Sequence, residues 1–441
     1  MTAYYVRSGA TGGGTGADWT NAYITLATAI TSKAAGDVFY VSEDHAETSA
    51  TAITLNFPGT AANPNFIYTV NHAGSVPPVA ADLVSSVSSS ITSSGSDNIT
   101  INGSAYVWGV QFKVGSSGGQ TLTVGLNASS ITSIMTFKKC KFWLSGNTSG
   151  SVVIFGHAAT NIGTSFTLDD TSFKFANAGQ SIAPKMGRFI WINTAIPFDA
   201  TGVMPTTMLV SASDSAATVE IRGVDLSAVG TIVGAFDTAS RILISDCKVG
   251  TGTLVTTPTD KGRALVDFVR CDNAGTNYKI VRTDYSGTLT VETTIVRTGG
   301  ASDGTTAISW KVVTTANSLF TQPFECPPIV IWNDVTGSAK NAAIECIWGG
   351  GAVPNNDEIW IDLEYLGSST APTASFVGDG KANPLAVAAA QTSSAASWGG
   401  STTKFKLDVS FTAQQKGWIY ARVKCAKPSS TFYVDPVITV T

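Results

Sequence analysis

Between about Asn98 and Tyr285 the chain repeats a short phrase. An apolar or polar residue is followed by a small one, a polar or charged one, and often an apolar one. It reads Gly109-Val110-Gln111-Phe112, Lys139-Cys140-Lys141-Phe142 and Thr171-Ser172-Phe173-Lys174. More loosely it continues as Ala195-Ile196-Pro197-Phe198, Gly223-Val224-Asp225-Leu226, Asp246-Cys247-Lys248-Val249 and Arg270-Cys271-Asp272-Asn273. The second residue recurs at steps of 30, 32, 24, 28, 23 and 24 residues. Steps of this size without helical patterning mark a solenoid of stacked coils. Each coil is expected to hold two or three short strands, with Ser, Gly, Asn and Thr in the turns. The expected fold is all-β, a right-handed parallel β-helix with like side chains above like.

Ahead of the repeat, Tyr4-Tyr5-Val6 reads as a strand and Gly9 to Gly16 as a glycine-rich loop. Trp19, Tyr23, Leu26, Ala29 and Ile30 then fall at helical spacing after Asp18, a plausible N-cap. Val38-Phe39-Tyr40-Val41 reads as a buried strand, and Pro58 to Val84, with prolines at 58, 64, 77 and 78, as long loops. A helix at this end would cover the open edge and core of a solenoid.

From Lys279 to Thr298 the pattern changes to longer segments of period-two alternation. Eight are predicted: Thr288 to Val296, Ala307 to Val313, Pro328 to Trp332, Ala342 to Trp348, Glu358 to Tyr365, Phe405 to Phe411, Gly417 to Val423 and Phe432 to Ile438. They fit an antiparallel, jelly-roll-like sandwich, with Trp310, Trp332, Trp348, Trp360 and Trp418 mostly in its core. Gly367 to Ser401 reads as a long loop or arm. The expected division is residues 1–97 for the cap and first coils, 98–285 for the β-helix body and 286–441 for the sandwich.

Only 13% of the 441 residues are charged, against roughly 25% in ordinary globular proteins. Mean hydropathy is +0.17. A chain so poor in charge points to surface hidden in a permanent assembly, or to a surface of Ser, Thr and Asn. The net charge is −4 and there is no basic run, so no nucleic-acid partner is expected. No stretch is long and apolar enough for a membrane span, and no secretion signal is visible. The cysteines are Cys140, Cys247, Cys271, Cys326, Cys346 and Cys425, with no paired spacing of a zinc ribbon. Cys140, Cys247 and Cys271 share one place in the repeat and are expected to stack as buried thiols; disulfides are the lesser reading.

Candidate chemistry is sparse. Gly12-Gly13-Gly14-Thr15-Gly16 lacks the Gly-Lys-Ser/Thr ending of a phosphate loop and is expected to be a plain loop. Ser42-Glu43-Asp44-His45-Ala46-Glu47 gathers three carboxylates around a histidine, but neighbours in sequence point apart on a strand, so no metal is expected. Acids and bases for one lateral face are Asp169, Asp170, Asp214, Asp225, Asp237, Asp246, Asp267 and Asp272, with Lys248, Arg263 and Arg270. Asp246 and Lys248 flank Cys247 and are expected to point the same way, with Asp225 one coil before and Asp272 one coil after. Turn and solvent roles explain these residues better than catalysis does. No catalytic, cofactor-binding or metal residue is therefore assigned, and no cofactor is expected.

The strand at Tyr4 to Val6, the loop Gly12 to Gly16, the segment Trp19 to Ile30 and Gly36-Asp37 leading into Val41 resemble the N-terminal end of pectate-lyase-like β-helix proteins. The lyases of that family use carboxylates holding calcium and a basic residue that takes a proton, and none of their catalytic motifs has a match here. Val296 to Ala307 and Tyr433-Val434-Asp435-Pro436 look like tailed-bacteriophage structural proteins. The resemblance implies a virion protein without enzymatic activity, first of all a capsid decoration protein bound to the major capsid protein. The alternative is a tail spike that binds or depolymerises host surface polysaccharide. A solenoid beginning near Met1 leaves little room for a spike's anchor and favours decoration. A free polysaccharide lyase or glycoside hydrolase is the third reading. The flat, weakly charged faces of a β-helix also lead to the expectation of a homotrimer.

Overall fold

The computed structural model describes residues 1–115, 120–125, 133–156, 163–185, 187–210, 217–234, 240–250, 252–256, 265–273, 276–292, 309–319, 321–333, 339–349, 358–365, 391–392, 404–412 and 417–441. Met1–Pro258 with Gly262–Asn277 form one compact unit, and Thr259–Lys261 with Tyr278–Thr441 the other.

The first unit is wound from three parallel ladders. The chain passes through Ile99–Asn102, Ala105–Trp108 and Val110–Val114, then returns at Leu122–Val124 to pair beside Ile99–Asn102. Each coil therefore contributes three strands. One ladder holds Ala46–Ser49, Ser89–Ser93, Val110–Val114, Lys141–Leu144 and Ser172–Phe175. A second runs in eight strands from Ile53–Asn56 to Thr253–Val255, and the third from Ala3–Val6 to Leu265–Asn273. This is a parallel β-helix, and parallel crossovers of this kind are right-handed. Period-two alternation decides what is inside. Phe112, Phe142 and Phe173 pair in register and stack with centroids 5.7 Å apart at each step. Each such ring contributes about 2–3 kcal/mol by burial, and each stacked pair about 1 kcal/mol more.

The repeating phrase is one corner of the coil. Lys139, Asp170, Asn193, Asp246 and Arg270 all sit there at φ between 49° and 54°, with Gly109 and Gly223 at equivalent corners. A small residue follows each. Strand pairing aligns Val110 with Cys140, and Thr194, Val224, Cys247 and Cys271 with one another. Thr171 belongs with Cys140, because Lys141 pairs with Ser172. Where it is Cys or Thr its side chain turns back onto carbonyls, whereas Val110 and Val224, which follow the glycine corners, fill the slot without a donor. Cys140 Sγ reaches Lys138 O and Val107 O, and Thr171 Oγ1 reaches Asp169 O and Phe137 O. Cys247 Sγ reaches Ser245 O and Ile221 O, and Cys271 Sγ reaches Val269 O and Ile244 O. Those corners thus close with a donor that a purely aliphatic side chain lacks. The third and fourth phrases are out of the sequence frame: Thr171, not Ser172, and Thr194, not Ile196, fill the slot.

Asp18 does not cap a helix. It accepts from the Asn21 amide at 2.7 Å in a turn, and the helix is only Leu26–Ile30, capped by Thr25. The stretch assigned to loops contains a strand, Asn65–Val70, in which Ile67 is buried between Phe66 and Tyr68. Its alternation is masked in the sequence by flanking prolines.

In the second unit all eight expected segments contribute strands, and the pairing is antiparallel. One set joins Gly287–Glu292, Ser309–Thr314, Thr431–Val440, Ala339–Trp348 and Lys404–Thr412. The other joins Phe324–Glu325, Ile329–Asn333 and Ile359–Tyr365 to Gly417–Cys425. Trp310, Trp348 and Trp360 are buried in one cluster with Cys326, Cys346 and Cys425. The side chains of Trp332 and Trp418 lie outside the described residues, as do 293–308 and the expected arm except Gln391–Thr392. All six cysteines are free and buried.

Candidate functional site

The acidic segment near the start is divided among separate partners. Asp44 pairs with Arg7 at 2.7 Å, and Glu43 with His72 at 3.0 Å. Glu47 Oε2 accepts from the Leu26 amide at 2.7 Å and lies 3.1 Å from His45 Nε2. Among the described residues no group of His, Cys, Asp and Glu is arranged to hold a metal ion. The loop amides are also taken: Gly12 donates to Thr20 O, Gly13 to Asn21 Oδ1 and Gly16 to Asn21 O.

The stripe of acids and bases proves to be a set of ion pairs between coils. Asp225, Lys248 and Asp272 stand in register as expected, and Lys248 lies 3.3 Å from Asp225. Asp246 takes the left-handed corner, so it does not join Lys248; Arg270 grips it with two bonds of 2.7 and 2.8 Å. Lys138 pairs with Asp169 at 2.9 Å. Asp267 stands in register with Leu243. Asp214, Asp237 and Arg263 lie outside the described residues.

A groove of about 340 Å³ opens at the corner instead. It is lined by Ser85 to Val87, Lys139 to Lys141, Asp170, Ser172, Ile196, Asp199 and Ala200. Lys141 Nζ donates to Asp199 Oδ2 at 2.5 Å, and Thr201 donates to Asp199 Oδ1 through its hydroxyl (2.7 Å) and amide (2.9 Å). Lys141, with Thr201, holds the Asp199 carboxyl well below the usual range despite partial burial. Asp170 is half exposed, 3.8 Å from Lys139. The groove therefore carries one fixed, ionised carboxylate, a second open to solvent and two ammonium groups.

Aromatic surface flanks it on both sides. Tyr40, Phe66, Tyr68 and Tyr106 lie half-buried on the outer face of the long ladder, with centroids 5.8–6.5 Å apart. Trp108 follows Tyr68 in register, within cation–π reach of Lys138 and Lys139. Beyond the groove, Trp143 shares the outer face of its strand with Lys141.

Sequence reasoning missed Lys141, Asp199, Trp143 and the tyrosine face. The signal was present as alternation at Lys141-Phe142-Trp143-Leu144 and Ser172-Phe173-Lys174-Phe175, but the shifted frame set Lys174 beside Phe142. Strand pairing sets Lys174 beside Trp143.

No family model and no curated protein matches the chain. Among solved structures it is similar to the enzymatically active domain of bacteriophage CBA120 tailspike protein 4. Identity there is 9% and the TM-score 0.28, over 94% of this chain and 65% of that one. It is similar to the Acinetobacter phage vB_ApiP_P1 tailspike protein at 11% identity and TM-score 0.27, over 92% and 82%. It is also similar to the pectin methylesterase of Aspergillus niger at 13% identity and TM-score 0.27, over 62% and 86%. The chain thus spans just under two thirds of the first of these. The expectation of a chain without enzymatic activity is corrected here: two of the three matches are enzymes, so a β-helix lacking a lyase motif gives no ground for excluding activity. The capsid-decoration expectation finds no support, while its tail-spike alternative has two counterparts. The three parallel ladders carry the fold by themselves, and the first unit is a right-handed parallel β-helix.

Proposed function

We propose that the protein is a tailspike-type virion component that binds and cleaves a host surface polysaccharide in the corner groove. The observation that carries this reading is the Lys141–Asp199–Thr201 arrangement on one wall of an open groove with aromatic faces on either side. The half-buried rings of Trp108, Tyr68 and Tyr106 offer stacking surfaces for the apolar faces of sugars beside the groove. Asp199 stays ionised, its two oxygens held by Lys141 and Thr201, and is the candidate for the carboxylate that attacks or stabilises the anomeric carbon; Asp170, open to solvent, is the second carboxylate that hydrolysis of a glycosidic bond calls for. On this reading the helix at Leu26–Ile30 caps the solenoid, the second unit is a sandwich, and three chains associate about an axis.

The test is depolymerisation of purified capsular and lipopolysaccharide glycans from a bacterial panel, read as new reducing ends or unsaturated sugars. Asp199→Asn is expected to lower the rate at least a hundredfold, in line with loss of a carboxylate that acts on the developing charge at the anomeric carbon. An unaltered rate in a folded Asp199→Asn protein moves the chemistry elsewhere, and no cleavage of any glycan removes the enzymatic reading.

A further inference from the structure

Next to the groove, Trp143 is held between two lysines. Lys113 and Lys174 come from the strands on either side, pair with Trp143 in register, and each place Nζ 4.2 Å from its ring centroid. All three side chains are half-buried on the outer face. Lys138, Lys139 and Lys141 are each matched by an aspartate, whereas among the described residues no carboxylate pairs with Lys113 or Lys174. Lys174 Nζ donates to the Thr201 hydroxyl at 2.6 Å, and that hydroxyl donates to Asp199, so the lysine is tied to the groove.

Five lysines thus lie on adjoining strands and one corner of a chain whose net charge is −4. Two ammonium groups with only an indole between them repel each other, and the ring faces offset part of that repulsion. An anion beside them offsets the rest. Lys113 and Lys174 stand two strand spacings apart along the solenoid axis, roughly 10 Å between backbones, and their ammonium groups, each 4.2 Å from the same centroid, are somewhat closer. This separation is close to the length of a disaccharide.

We propose that Lys113, Trp143 and Lys174 form an anion subsite for an acidic polysaccharide lying along the axis, with an acidic group on alternate sugars. This rests on the polysaccharide reading above and names the class of glycan. Because both ring faces are occupied by lysine, Trp143 acts as a spacer that positions the two cations and not as a stacking platform. Of the matched lysines, Lys139 and Lys141 line the groove where the neighbouring sugars would lie.

The test is affinity electrophoresis and calorimetry of the full chain with polygalacturonate, alginate and hyaluronan. Carboxyl-reduced polygalacturonate and dextran serve as neutral probes. Acidic probes are expected to bind, with affinity falling as salt rises. Lys113→Gln with Lys174→Gln is expected to weaken that binding roughly tenfold, about what two half-exposed ionic contacts supply. An unchanged melting temperature shows that the variant is folded. Lys248→Gln, a lysine on a distant coil, is expected to leave binding unchanged. Equal binding of the neutral probes, full affinity in the double variant, or no binding of any acidic probe overturns the proposal. A chain that cleaves a neutral glycan regardless of Lys113 and Lys174 keeps the groove reading and loses this one. A chain that binds acidic probes through the two lysines but cleaves nothing does the reverse.

Discussion

Cys140 donates its backbone amide to Thr171 Oγ1, 3.2 Å away at the same step of the next coil, and Thr171 passes its own proton to Phe137 O at 2.9 Å. Cysteine and threonine are thus alternative occupants of one corner slot. Each offers a small buried body and a donor for the carbonyls that the left-handed corner leaves exposed. Cys140→Thr is therefore expected to change stability by no more than about 1 kcal/mol. Cys140→Leu loses the donor and overpacks a fully buried position, at a cost of about 1–3 kcal/mol. Urea unfolding of the two variants compares them; equal losses would show that the slot is not selective.

The same burial makes the thiols inert. Burial pushes Cys140 and Cys425 up to about 12 and raises Cys326 and Cys346 above the ordinary thiol range. Contact between their thiols raises Cys247 and lowers Cys271, and both side chains are closed off from solvent. Only the thiolate reacts with disulfide reagents. Native protein at neutral pH is expected to show almost no labelling, and denatured protein six thiols per chain. Rapid labelling of the native protein would contradict the stacked corner.

The repeat and the common slot of Cys140, Cys247 and Cys271 were legible because a solenoid writes its period into the sequence. Cys247-Lys248 and Cys271-Asp272 fell into register by inspection, and the pairing agrees. Two things were not legible. The corner residue adopts the left-handed region whether it is Gly, Lys, Asp, Asn or Arg, so the frame has no fixed letter and slipped by one at Thr171. Groove residues also come from different depths of the chain. Asp199 meets Lys141 only because Phe173 bridges to Phe198 and brings the segment after it alongside the five-stranded ladder.

Turns between ladders impose a sharper demand. Gly103 has φ of +90°, and a Cβ there would stand 2.0 Å from the Phe57 carbonyl oxygen of the preceding coil. Gly103→Ala is expected to destabilise the chain by about 1–3 kcal/mol, since backbone must move. Gly95 also has positive φ, at +63°, but nothing lies within 4 Å of its Cβ position. Gly95→Ala is expected to cost only the backbone term, about 1 kcal/mol. Comparable unfolding midpoints for the two would mean that the coil contact at Gly103 yields easily.

The trimer that we propose rests on surface chemistry. The low charge fraction of 13% reduces the desolvation penalty of burying a flank. Light scattering at micromolar concentration is expected to give about three times the chain mass of 45.6 kDa. A single-chain mass at that concentration rules it out.

Acid should loosen the first unit through identifiable carboxylates. Arg7 holds Asp44 at about 2, against an ordinary value of 3.8, with Ser42 assisting. Lys141 lowers Asp199 further within a pair that is mostly shielded from solvent. A carboxylate depressed in the folded state contributes stability above its unfolded value, and that contribution is lost as pH falls through the folded value. Both aspartates therefore predict a stability that holds at neutral pH, starts to fall below about 4, and keeps falling through the acid range. Asp199→Asn removes one contributor. It is expected to cost about 1 kcal/mol at neutral pH, where Lys141 loses its partner, and less as pH falls, so that the variant and parent converge in strong acid. Melting temperatures of both proteins, measured in steps from neutral to strongly acid buffer, give the comparison. A gap that stays constant with pH would show that the carboxylate of Asp199 is not what Lys141 binds.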